Sequence, residues 1–488
     1  MKIKKWLQRI GIGLVLLYAI LLIPDSNSSN LYKAPPRSFY WNRDTQWLAL
    51  EQRFQQVKKD TGAATTATVL FAKANSLLLQ LQQGHYNPTD SIFTAIQNNF
   101  FALAPYIAVL PTQQSAYIDY YKQIRFAAKQ QSQQWDMNST PARNTLYTLL
   151  YGMRAAVEET LLQGDGKFAA AMLCNDEPSA TPAAKIFGIT VHSGDLLVSR
   201  GGAEVSALIS RGNDYPGNFS HVALVYIDST GEAFLIEAHI EKGVAIANVQ
   251  QYEADKKLRF MVLRPRADLT AIKTNPMLPH TAARYVYGQA QKRHIPYDFK
   301  MDFVDSSAMF CSEVGSYAYR NKGLQLWQGL STISSQGVVN WLRAFGVEHF
   351  VTQMPSDLEY DPQLTVVAEW RDPATLAKDH IDNAVMDVML ENADKGAAVG
   401  YKHWMLPIAR VIKGWSLLLN TMGKVGKIPE GMSATQALKN QYVVKMHQAI
   451  NQQTKVLADG FIKEHQYFPP YWQLVALAKQ AHQQLYGK

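Results

Sequence analysis

The feature that most limits the folds open to this chain is a change in apolar spacing near residue 184, reversed at Asp372. From 43 to 165 apolar residues recur every three or four positions. Trp47, Leu50, Phe54 and Val57 share one helical face, and Leu146, Leu149, Leu150, Met153 and Val157 share another. The second helix has Thr140 before Pro141 as its start and Gly164 as its stop. Between 184 and 371 short strand-like runs take over: Leu196–Val198, His221–Ile227, Ala233–Glu237, Val244–Ala247, Leu258–Leu263 and Thr365–Ala368. The turn residues Asp228 to Gly231 make a hairpin of His221–Ile227 and Ala233–Glu237. Helices are expected over 279–292 and from Cys311 onward. After Asp372–Pro373, a cap followed by proline at the first helical position, helices are expected over 403–420 and 433–460. The fold class is therefore α+β, with a mainly antiparallel sheet between helical regions. Trp404 to Leu419 is apolar but interrupted by Pro407, Arg410 and Lys413. Without a broad cationic face it reads as an ordinary core helix rather than an interfacial one.

The chain has 488 residues, 47% hydrophobic and 18% charged, enough to build several cores and too many for one compact domain. The pattern divides it into 1–24, an anchor or signal; 25–42, a Ser-, Asn- and Pro-rich linker; 43–183, helical; 184–371, α+β; and 372–488, helical. A net charge of +8 without a basic stripe interleaved with aromatics gives no reason to expect a nucleic-acid partner. Two cysteines, Cys174 and Cys311, exclude a disulfide scaffold and a zinc site built on paired thiolates. A bridge between them is the structural alternative to a free thiol at 311.

Lys2, Lys4, Lys5 and Arg9 precede an uncharged run from Ile10 to Ile23. Basic residues followed by such a run mark a secretion or insertion signal. No A-x-A site follows, so an uncleaved membrane anchor is expected over a cleaved signal. No cysteine follows either, which excludes a lipoprotein. The expected location is the bacterial cell envelope, anchored in the inner membrane and facing the periplasm, or secreted if the segment is removed.

The sequence holds no HExxH, no P-loop, no G-x-S-x-G and no CxxC. What remains is Cys311, preceded by small polar residues and followed by the helix-like SEVGSYAYR. A thiol at a helix N-terminus sits at the positive end of the macrodipole, which favours the thiolate. The N–H groups there can also bind an oxyanion. A thiolate nucleophile wants an imidazole, and His221 opens the strongest strand. Folding the hairpin brings Glu237 near His221 or Ala223, where a carboxylate can orient the ring. His239, two residues on and on the same face, is the rival orienter. Each residue also has a structural reading: Cys311 as a small buried hydrophobe, His221 as a satisfied polar residue, Glu237 as a solvated edge residue.

GDLLVSR (194–200), FSHVALVY (219–226), LIEA followed by GV (235–244), PYDF (296–299) and FCSEVGSYAY (310–319) together resemble the circularly permuted papain-like hydrolases, the NlpC-type amidases of the YiiX/YaeF sort. In that group the order is His, then acid, then Cys near a helix start, as here. The resemblance covers about residues 184 to 370. It implies Cys311 as nucleophile, His221 as general base, Glu237 as its orienter, and Tyr297 lining the substrate cleft. Asp195 would belong to a structural Gly-Asp turn. It implies an amide-cleaving cysteine hydrolase working through a thioester, with no metal or organic cofactor, on a peptide or acyl-amide substrate of the envelope. A lipid acyltransferase or esterase with the same chemistry, as in the related lecithin retinol acyltransferase group, is the first alternative. A non-catalytic envelope scaffold is the second.

Overall fold

The computed structural model describes residues 2–24, 45–164 and 168–487; the expected linker over 25–42 lies outside them. At its centre is a seven-stranded antiparallel sheet. The strands are β1 (Ala171–Leu173), β2 (Leu196–Gly201), β3 (His221–Ile227), β4 (Ala233–His239), β5 (Gly243–Asn248), β6 (Lys257–Pro265) and β7 (Leu364–Arg371). Their order across the sheet is β1-β7-β6-β2-β3-β4-β5. The β3–β4 hairpin turns where Asp228 Oδ1 accepts the N–H groups of Thr230 and Glu232, and Gly231 supplies a φ of +86°. Alternation sends Val222, Leu224 and Ile236 to one face and Ala223, Val225 and Leu235 to the other.

Helices Leu278–Lys292 and Cys311–Arg320 cover the first face through Ala282, Val286, Val314 and Ala318. The second face packs on Ile186, Ile189 and Val191, from a small hairpin that strand-like patterning did not reveal, and on Tyr252. Strand β1 precedes the strand-rich segment in the chain and adds an edge to the sheet beside β7.

Helices between Thr45 and Leu162 build their own core around Phe100, Tyr117, Leu146 and Met153. Helices Leu376–Asp394, Ala434–His465 and Tyr471–Tyr486 build another around Val385, Met389, Ile450 and Ala478. Buried ion pairs tie both regions to the centre. Arg154 pairs with Glu359 and Arg125 with Glu369. Arg259 of β6 reaches both Glu158 (2.6 Å) and Asp379 (2.6 Å). Arg211 holds Asp387 with two bonds of 2.8 Å. Such pairs are costly to break, because the surviving charge stays buried. Asp195 likewise accepts two bonds from Arg264, at 2.9 and 2.8 Å, in keeping with a structural role.

The segment read as a core helix over Trp404 to Leu419 differs from expectation. Helix Leu406–Thr421 buries only Leu406, Pro407, Ala409 and Ser416, and packs Leu406 and Ala409 with Ala434 and Leu438 of the Ala434–His465 helix. Its apolar stripe faces outward. Helical periodicity shows that a helix has two faces, but not which of them meets the core.

Candidate active site

Cys311 is the first residue of its helix, after Phe310 in an extended conformation. No side chain caps this helix, so N–H groups of its first turn are left for a ligand. The helix packs across β3. Its start thereby lies beside the start of that strand, with Cys311 Sγ 3.8 Å from the Ser220 carbonyl oxygen.

His221, the first residue of β3, places Nε2 2.8 Å from Glu237 Oε2. With Nε2 engaged by the carboxylate, Nδ1 is the nitrogen left for the thiol. Burial disfavours the imidazolium, but hydrogen bonds to Cys311 and Glu237 outweigh it and raise the His221 pKa to about 10. Burial would also raise the Glu237 pKa. The hydrogen bond from His221 and the neighbouring His239 overcome that and hold the carboxyl well below its ordinary range.

His239 Nε2 stands 3.6 Å from the other carboxylate oxygen, Oε1, beyond the 2.8 Å contact that His221 makes. Both imidazoles thus attend one carboxylate. The ligand atoms of His221, Glu237 and His239 lie within 4.8 Å of one another, a spacing that would also admit a metal ion. The hydrogen-bonded geometry at His221 fits an orienting role for Glu237 better, because it aims the ring at Cys311.

Tyr297 is held beside the approach to Cys311 by a bridge to Met309 and lines the same cleft as Cys311, His221 and His239. All four sequence-named site residues, Cys311, His221, Glu237 and Tyr297, are therefore brought together. Both cysteines are free thiols, and Cys174 sits against Arg125.

Two features escaped sequence reasoning. Glu313, two residues past Cys311, is fully buried. Burial, reinforced by Asp298, raises its pKa to about 9, so it is a neutral acid at neutral pH. Its place in the phrase CSE was visible, but its burial was not. The second is the rest of the cleft lining. The cleft has a volume of about 810 Å³, and Leu342, Phe345, Met432 and Val444 line it together with Cys311. Met432 and Val444 come from the C-terminal helical region.

The sheet is antiparallel, and histidine, carboxylate and helix-borne cysteine follow one another in that chain order. A family model described as permuted papain-like amidase enzyme, YaeF/YiiX, C92 family, matches residues 190–368. The middle of the chain is thus a permuted papain-like domain flanked by helical regions, and its likeness to an amidase family supports hydrolysis as the class of reaction. No curated protein and no solved structure matches the chain.

Proposed function

We propose that this protein is an envelope-associated amidase whose catalytic groups are Cys311, His221 and Glu237. The observation that carries the reading is the 2.8 Å bond between His221 and Glu237 beside a cysteine at an uncapped helix start. His221 takes the thiol proton, and the sulfur attacks the amide carbonyl. The oxyanion meets the N–H groups of the first helical turn. Imidazolium returns the proton to the departing amine, leaving a thioester. Water, deprotonated by His221, then releases the acid.

The substrate favoured by the cleft is an acyl-amide rather than a polar stem peptide. Leu208, Ile209, Leu342, Phe345 and Val347 give it a broad apolar wall suited to a hydrocarbon chain. The same wall supports a second reading, transfer of the acyl group to an alcohol or amine. Incubation with N-acyl amides and with muropeptides, each with and without an added acceptor, separates these readings. Free acid from acyl-amides supports the amidase. Products formed only with acceptor present support transfer.

A further inference from the structure

The helix Leu406–Thr421 has its amphipathicity turned inside out. Trp404, Ile408, Val411, Trp415, Leu418 and Met422 follow at alternating steps of four and three, one stripe along the helix and its ends. All six are exposed, Val411 at 68%, Met422 at 64% and Trp415 at 60%. The polar groups turn inward. Lys413 donates to the carbonyls of Pro429 and Glu430 at 2.7 and 2.6 Å, Ser416 is buried, and Asn420 Oδ1 accepts from Gly426.

The stripe does not stand alone. Helix Lys2–Leu21 lies against this segment. Arg410 donates to the carbonyls of Ile20, Leu21 and Ile23 at 3.4, 3.0 and 2.5 Å, and Tyr18 donates to the Trp404 carbonyl at 3.2 Å. Val15, Leu16 and Ile20 of that first helix are exposed as well. Both helices therefore expose apolar side chains on either side of a shared contact.

Charge says what covers it. From Lys395 to Pro429 there is no Asp or Glu, whereas Lys395, Lys402, Arg410, Lys413, Lys424 and Lys427 are all basic. Exposed Lys402 precedes the stripe, and exposed Lys424 and Lys427 follow it. Apolar residues with tryptophans, bounded by lysines and free of acids, match the interface of an anionic bilayer.

We infer that the stripe from Trp404 to Met422 is a second membrane contact, lying in the surface of an anionic bilayer beside the N-terminal helix. The segment that follows it carries Lys427, Pro429 and Met432 into the wall of the Cys311 cleft. Docking would therefore set that wall at the bilayer surface.

The test uses the full chain in vesicles of phosphatidylcholine with phosphatidylglycerol, doped with a phospholipid bearing a photoreactive tail. After irradiation, lipid adducts are mapped by peptide mass spectrometry. The inference expects adducts on 404–422. Val411→Glu combined with Trp415→Glu, both at exposed positions, should remove those adducts while leaving any on 1–24. Omitting phosphatidylglycerol should lower their yield. Adducts confined to 1–24, or links from 404–422 to a second copy of the chain, would overturn it. The readout is independent of activity, so the hydrolase reading stands or falls separately.

Discussion

Glu237 faces Ala223 across the β3–β4 ladder, yet its carboxylate bonds His221, one position further along the same face. The contact is diagonal, and it holds a ring that is also hydrogen-bonded to Cys311. Glu237→Gln keeps the shape and removes the charge. It should lower kcat by roughly 10²–10⁴-fold with little change in thermal stability. His239→Asn should cost far less. Steady-state rates of the two variants check this, and the reverse ranking would make His239 the orienting residue.

The pH profile follows from the same pair. The His221 pKa is raised to about 10. Activity that needs its imidazolium should hold through neutral pH and fall as pH rises through that value. Glu237→Gln should move this alkaline limb downwards, because the anion that favours the charged ring is gone. Stability has the same sign. The contribution of His221 is full below an unfolded pKa of about 6.5 and is lost as pH rises through about 10. A limb that stays in place in the Gln variant would mean that another group sets it.

Glu313 gives a pH effect with a separate signature. Its pKa is raised from 4.5 to about 9, so the folded state holds a proton that the unfolded state releases. Its contribution to stability is present below about pH 4.5 and is lost as pH rises through about 9. Glu313→Gln, neutral at every pH, should raise the melting temperature over wild type at pH 9 and change it little at pH 4. Scanning calorimetry at the two pH values decides it; an equal shift at both would remove the ionisation from the account.

The helical flanks should be inseparable from the hydrolase domain. Arg211 and Asp387 are both buried and doubly bonded to each other. Arg211→Leu leaves the carboxylate buried without its cation, with Tyr471 Oη still donating to it, at a cost of about 3–5 kcal/mol. Denaturant unfolding measures this; a loss under about 1 kcal/mol would indicate that solvent reaches the site.

The approach of the proposed catalytic groups to one another is legible in the sequence because its signals are local. A turn at Asp228 to Gly231 and strand alternation fix where His221 and Glu237 point, and small polar residues ahead of Cys311 mark a helix start. The ion pairs were not legible. Arg154 and Glu359 are separated by 205 positions, and nothing local to either names its partner. The rest of the cleft lining was hidden for a related reason. Phe345, Met432 and Val444 sit on separate segments whose patterning announces burial but not against what. The stripe at Trp404 is visible in the sequence but its side is not, because periodicity carries no sign when the polar groups are the ones turned inward.

The central claim is that Cys311 is the nucleophile. The most direct measurement is intact-protein and peptide mass spectrometry after rapid acid quench of wild-type enzyme turning over an N-acyl amide. The expected result is an acyl group in thioester linkage on the Cys311 peptide, with amine released in step. It should be absent from Cys311→Ala, which should also lose turnover while keeping its fold, and unaffected by Cys174→Ala. Full turnover by Cys311→Ala, or an acyl group carried on another residue, would contradict it.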